Sequence, residues 1–188
     1  MRVAVQRVTR AKVVVGSETT GEIGPGMLLL VGVGREDSEE TCRRMASKVA
    51  RLRIFDDAAG KMNKSLLDTH GQALVVSQFT LYADTSRGLR PSFTNAGEPG
   101  RAKELYERFV SELSYLGVPT RTGRFGAHMA VELINDGPVT LILEEPATVN
   151  SLTAQVQGSG TRDQGSGSEP RPPTPEPRPL SERSAASG

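Results

Sequence analysis

Apolar positions along this chain fall into blocks separated by turn-forming clusters, and the spacing inside each block predicts its element. Val3, Val5 and Val8, then Val13, Val14 and Val15, read as β structure. Gly16 to Gly21 supplies a turn before Glu22-Ile23. Gly24-Pro25-Gly26 breaks the chain again ahead of Met27-Leu28-Leu29-Leu30-Val31-Gly32-Val33, an unbroken apolar run typical of a strand covered on both faces. Asp37, with Glu40 three residues on, predicts a helix start, and the helix runs to about Arg51 with Met45 and Val49 on its buried side. Leu52-Arg53-Ile54-Phe55 predicts a short strand closed by Asp56-Asp57, and Lys61 to Ser65 an exposed basic connection. Ala73 through Leu81 is a second strongly apolar strand. Asp84 to Pro99 is irregular, and a helix follows from about Gly100 to Leu116 with Leu105, Phe109 and Leu113 at i, i+4 spacing. Met129, Val131 and Leu133 alternate as a half-buried strand. Val139, Leu141 and Leu143 do the same beyond Asn135-Asp136-Gly137-Pro138. The order predicts a mixed α/β domain of the α+β type, helices packed on sheet, without internal repeats.

Composition changes sharply near Val149. Residues 151–188 hold six of the twelve prolines, many Gly and Ser, and only Leu152, Val156 and Leu180 as large apolar groups. Such a stretch cannot bury enough surface to offset chain entropy, so 149–188 is expected to be a disordered tail and 1–148 the folded domain. Lys plus Arg number 23 against 22 Asp plus Glu, so any nucleic-acid contact must rest on a local patch. A single cysteine, Cys42, excludes an internal disulfide and a multi-cysteine metal site. Met1 leads directly into Arg2-Val3-Ala4-Val5, and no apolar run approaches membrane-spanning length. The expected setting is the cytoplasm, with no membrane partner.

Standard catalytic sets are missing. His70 and His128 are the only histidines and have no metal-ligand spacing; no phosphate-loop motif occurs, and no metal or cofactor is expected. Asp56-Asp57 and Glu144-Glu145 are adjacent on strand-like segments, where neighbours point to opposite faces. Two features remain. Gly137-Pro138 is a corner with few conformational choices, because proline fixes φ and lacks an N–H, and X-Pro is the common place for a cis peptide. Ser77-Gln78-Phe79-Thr80 closes an apolar strand where the chain turns irregular, so its backbone N–H groups could converge as an oxyanion hole. Equally, Ser77 and Thr80 could be plain strand residues bonding their neighbours, and spacing alone leaves both readings open. Arg87 and Arg90 flank a Gly/Pro loop suited to phosphate, and Arg121, Arg124, Lys61 and Lys64 could extend such a patch.

Ser77-Gln78-Phe79-Thr80-Leu81 and Asn135-Asp136-Gly137-Pro138-Val139-Thr140 resemble the SQFTL and NxGPVT signatures of the D-aminoacyl-tRNA deacylase family. Arg87 to Phe93, Thr122 to Ala127 and the opening Val5-Gln6-Arg7-Val8-Thr9-Arg10-Ala11 resemble further family segments, so the likeness spans residues 1 to about 145. It implies a layered β/β/α single domain, a homodimer, and hydrolysis of the ester joining a D-amino acid, or glycine mischarged on tRNA-Ala, to tRNA. Ser77, Gln78, Phe79 and Thr80 would form the catalytic segment, with backbone N–H groups at Phe79 and Thr80 as oxyanion donors and the tRNA terminal 2′-OH assisting. Asn135, Gly137 and Pro138 would bind substrate, Gly137-Pro138 being cis and reaching into the partner subunit's site. Arg7, Lys61, Lys64, Arg87, Arg90, Arg121 and Arg124 are the candidate tRNA contacts. The tail, and His128 at a position where many relatives carry an acidic residue, depart from the family pattern.

Overall fold

A computed structural model describes residues 1–146; the predicted tail lies outside the described residues. β1 (Arg2–Val15), β2 (Glu18–Ile23) and β3 (Gly26–Gly32) are successive antiparallel neighbours of one another through β1. α1 (Glu39–Ala50), the short hairpin β4 (Phe55–Asp56) and β5 (Met62–Lys64), and α2 (Leu66–Thr69) lead to β6 (Gln72–Ser77), which runs parallel to β3. A 3-10 turn at Phe79–Tyr82, α3 (Pro99–Tyr115), β7 (Thr120–Thr122) and β8 (Ala130–Glu144) complete the domain. The sheet order is β2-β1-β3-β6-β7, with β8 paired antiparallel to β1. Parallel pairs β3–β6 and β6–β7 need crossovers, and the helical segments supply them.

Period-two alternation sorts the side chains into layers. Val3, Val5, Met27, Leu29, Val31, Ala73 and Val75 share one cluster with Met45 and Val49 of α1 and Leu105, Phe109 and Leu113 of α3. The intervening Leu28, Leu74 and Val76 point the other way and pack with Val8, Ala11, Val13 and Ile23, covered by Met129, Val131 and Leu133. That is a β/β/α arrangement, and it explains why β3 and β6 read as unbroken apolar runs: both their faces are covered.

Several local boundaries differ from the sequence expectation, each for a visible reason. The first helix is capped by Ser38, not Asp37: Ser38 and Thr41 form the capping box. Asp37 is used otherwise, accepting from the Met1 ammonium at 2.5 Å and the Gly34 N–H at 2.7 Å. The strand expected over Leu52–Phe55 is displaced to Phe55–Asp56, sharing Phe55 alone with the expected span, and Lys61 to Ser65, expected as a connection, contributes the partner strand Met62–Lys64. The strand expected to reach Leu81 ends at Ser77, where the chain turns into the 3-10 segment. The two strands expected around the Gly-Pro corner are one, β8, whose register against β1 shifts twice: Thr140 faces Gln6, but Asn135 already faces Val8. Residues 136–139 therefore bulge out opposite Arg7, and Gly137-Pro138 is a cis peptide within that bulge.

Candidate active site

A cleft of about 560 Å³ opens where the ends of β3 and β6 meet α3 and the segment leading into β8. Ser77, Gln78 and Phe79 line one wall; Phe93, Tyr106, Phe125, His128 and Met129 contribute to the others. The sequence places each of these for a physical reason. Ser77 still pairs with Val31 in the sheet, and the Gln78 N–H completes the ladder by donating to the Val31 carbonyl at 2.8 Å. Past that point the parallel pairing ends, and Phe79–Tyr82 coils into the 3-10 turn, with Leu81 N–H donating to the Gln78 carbonyl. The leading N–H groups of such a turn have no partner within it. Among the described residues, those of Phe79 and Thr80 meet no backbone acceptor outside it either.

Phe79 is 59% exposed for an aromatic residue, and its one ring neighbour is Phe93, edge-on at 5.0 Å. Phe93 is carried back to the cleft because Asp84 and Ser92 exchange backbone hydrogen bonds at 2.8 Å each, closing the expected irregular segment into a loop. Tyr106, on α3 one position off the buried Leu105–Phe109–Leu113 stripe, donates its hydroxyl to the Val75 carbonyl at 2.8 Å. Burial pushes that hydroxyl well above the usual tyrosine range, so it stays a donor. The Thr80 hydroxyl accepts from the Gln78 side-chain amide, a group that cannot take a proton from it.

The Gly-Pro corner stands apart from this cleft. Gly137 and Pro138 are exposed, do not line it, and are separated from the lining residue Val131 by roughly 20 Å of extended strand. Asn135 clips the bulge from within: its Oδ1 accepts from Val139 N–H at 2.8 Å, and its Nδ2 donates to Thr140 Oγ1 at 3.1 Å. Arg7 supports the bulge from behind. Its side chain is 8% exposed, with Nε on Asp136 Oδ2 at 3.0 Å and the Asp136 carbonyl at 3.2 Å, and Nη1 on the Ile54 carbonyl at 2.7 Å.

The structure thus brings Ser77, Gln78 and Phe79 into the cleft, puts Thr80 beside them in the turn, and gathers Asn135, Gly137, Pro138 and Arg7 elsewhere. Arg87 and Arg90 lie exposed on the 84–92 loop, and Lys61 and Lys64 on the exposed β4–β5 hairpin. Arg124 pairs with Glu18 at 2.7 Å, and Arg121 donates to its neighbour's carbonyl. Sequence reasoning missed Tyr106 as a lining residue and the buried setting of Arg7. The position of Tyr106 beside the apolar stripe was the available signal for the first; nothing local signalled the second.

The sequence pattern of the D-Tyr-tRNA(Tyr) deacylase family matches residues 4–144. The chain belongs to that family. D-aminoacyl-tRNA deacylase of Deinococcus radiodurans is 58% identical over 144 residues, covering 77% of this chain and 99% of that protein. The Thermotoga petrophila protein of the same name is 56% identical, over 77% and 97%. Among solved structures, one named c-Myc DNA Unwinding Element Binding Protein superposes with a TM-score of 0.75 at 41% identity, over 78% of this chain and all of that one. A probable eukaryotic D-amino acid tRNA deacylase superposes with a TM-score of 0.68 at 16% identity, a likeness of fold. Family membership makes the chain a hydrolase of the ester between an amino acid and tRNA, and tRNA its substrate. Among the described residues no helix is long and apolar enough to cross a membrane.

Proposed function

We propose that this deacylase hydrolyses D-aminoacyl and glycyl esters of tRNA and spares L-aminoacyl esters, with backbone groups rather than a side-chain nucleophile carrying the chemistry. The observation that supports this most is the 3-10 turn at the cleft wall, whose Phe79 and Thr80 N–H groups lack acceptors in the described chain. Two such donors aimed at the carbonyl oxygen stabilise the charge that develops there on water attack, an effect worth about 3–4 kcal/mol for one donor in acyl transfer. An aminoacyl ester is already activated, so positioning and oxyanion stabilisation suffice, with the terminal ribose 2′-OH of the tRNA assisting the water. The Thr80 hydroxyl is held by an amide donor, and no His, Asp or Glu side chain bonds the Ser77 or Thr80 hydroxyl among the described residues. That favours this reading over a nucleophilic Ser or Thr.

Selection against L-substrates falls to Gly137-Pro138. A corner clipped by Asn135 and backed by Arg7 is a rigid wall, and a rigid wall discriminates by exclusion. Since the corner does not line its own cleft, it serves the site of a second copy. Exposed Ile134, Leu141 and Ile142 along β8, which among the described residues pairs with β1 alone, provide an apolar edge for that copy. Exposed Arg87, Arg90, Lys61 and Lys64 offer phosphate contacts to the tRNA, whose location sets the enzyme in the cytoplasm.

Hydrolysis of D-Tyr-tRNA and L-Tyr-tRNA by the full chain tests the reading: the first is cleaved and the second spared. Thr80→Ala and Ser77→Ala retain substantial activity, and a tRNA ending in 2′-deoxyadenosine reacts far more slowly. An acyl-enzyme trapped on either hydroxyl, or equal rates with and without the 2′-OH, refutes the mechanism.

A further inference from the structure

The turn that carries the oxyanion donors is held from outside the cleft by a cation. Arg2, the first residue of β1, donates from Nη1 to the Leu81 carbonyl at 2.9 Å. Its guanidinium lies 4.7 Å from the centre of the Tyr82 ring, and its Nε meets Glu144 Oε1 at 2.9 Å. None of these four residues lines the cleft.

The route from Arg2 to the donors is short and made of peptide groups. The Leu81 carbonyl and the Tyr82 N–H belong to one peptide unit. In the i to i−3 pattern of the turn, Tyr82 N–H donates to the Phe79 carbonyl, and that carbonyl shares its peptide unit with the Thr80 N–H. A fixed positive charge on the Leu81 oxygen therefore stands at the head of a chain that ends at a donor assigned above to the oxyanion. Each hydrogen bond in such a chain polarises the next, by roughly 10–30% per bond. The planar guanidinium also locks the turn sterically, stacking on Tyr82 while its fork engages Leu81, a geometry an ammonium does not reproduce.

We propose that Arg2 is a positioning residue for the deacylation step, fixing and polarising the Phe79–Tyr82 turn so that the Thr80 N–H is a stronger and better-aimed oxyanion donor. The proposal rests on the backbone oxyanion reading above. A plain structural role is the alternative, and the two differ in what they move. The Arg2–Glu144 pair is open to water on both sides, with side chains 37% and 61% exposed, so it contributes little to stability. Loss of Arg2 should then leave the fold nearly unchanged while the chemical step slows.

Single-turnover hydrolysis of D-Tyr-tRNA by full-length wild type, Arg2→Ala, Arg2→Lys and Glu144→Gln tests this. Deleting an oxyanion donor outright costs about 10²–10³ in rate, so weakening one should cost about tenfold. Arg2→Ala is expected to lower the maximal rate by that factor with the half-saturating enzyme concentration unchanged. Arg2→Lys should recover part of the rate, methylguanidinium added to Arg2→Ala should do the same, and Glu144→Gln should lose less than Arg2→Ala. An Arg2→Ala rate within twofold of wild type overturns the proposal. So does a loss confined to the half-saturating concentration, or a loss that follows the melting temperature and is matched by Glu144→Gln. A wild-type protein inactive on D-Tyr-tRNA overturns the underlying reading instead, and the two failures are told apart by that one control.

Discussion

Removing the Arg7 guanidinium tests how the Gly-Pro corner is held. In Arg7→Ala the buried Ile54 carbonyl loses the donor that sits 2.7 Å away, which costs about 1–3 kcal/mol for a stranded buried acceptor. Asp136 and Asp56 lose their cation, but their side chains are 48% and 50% exposed, so water takes over and each pair costs about 0.2–1 kcal/mol. The expected destabilisation is roughly 1.4–5 kcal/mol, and a domain of this size shifts by about 2–4 °C per kcal/mol, placing the loss at about 3–20 °C. The corner should suffer more than the fold, since the Asp136 carbonyl and carboxylate are both anchored by this one side chain. A bulge freed on that side no longer presents a fixed wall, and the ratio of D- to L-Tyr-tRNA hydrolysis should fall by about tenfold, the equivalent of 1.4 kcal/mol. Arg7→Lys, with one compact ammonium for four acceptors, should fall between wild type and Arg7→Ala on both scales. Thermal melts and paired hydrolysis assays on the same preparations measure these quantities. Arg7→Ala melting within about 2 °C of wild type, with an unaltered D/L ratio, would refute the reasoning.

Gly137→Ala should cost about 1–3 kcal/mol, because φ is +124° there and the new Cβ would sit 2.8 Å from Val139 Cγ2 and 3.2 Å from Arg7 Nη2; an unchanged melt and D/L ratio would show that the corner tolerates displacement. Burial pushes the Cys42 thiol up to about 12, so iodoacetamide at pH 8 should label it only as fast as the domain unfolds, and stoichiometric labelling of a still-folded sample would contradict that setting. Hydrogen bonding from Lys48, then from Arg44, holds the Glu145 carboxyl below its usual 4.5, so its stabilising effect is present above that value and is lost as pH falls through the folded one. Glu145→Gln should therefore be less stable than wild type at pH 7, with the gap closing on acidification; a gap independent of pH would exclude the carboxylate as its source.

Periodicity made the layers legible. Met27-Leu28-Leu29-Leu30-Val31 read as a strand covered on both faces and Ala73-Leu74-Val75-Val76 as a strongly apolar strand, and the Leu105–Phe109–Leu113 stripe located α3 to within a residue at each end. What stayed hidden depends on contacts distant in sequence. Phe79-Thr80-Leu81 has strand-like composition, yet the turn forms where pairing to β3 runs out, and Arg2, 79 positions away, donates to the Leu81 carbonyl. Arg7 in Val5-Gln6-Arg7-Val8 looks like a surface cation on an alternating strand; it is buried opposite the bulge, with its guanidinium held by Asp136, the Ile54 carbonyl and Asp56. Asp37 reads as a helix cap until the Met1 ammonium and the Gly34 N–H claim its carboxylate. Such long-range claims on a side chain leave no trace in local pattern.

One strand carries both Arg2 and Arg7, and β1 therefore acts as a ruler. The turn that Arg2 grips and the bulge that Arg7 grips are set apart by five residues of extended backbone, about 17 Å, a length fixed by covalent geometry rather than by any adjustable contact. Deleting a single residue between them would shorten the ruler by about 3.4 Å and turn one of the two arginines to the opposite face of the sheet. No substitution at Arg2 or Arg7 alters that spacing; an insertion or deletion between them does.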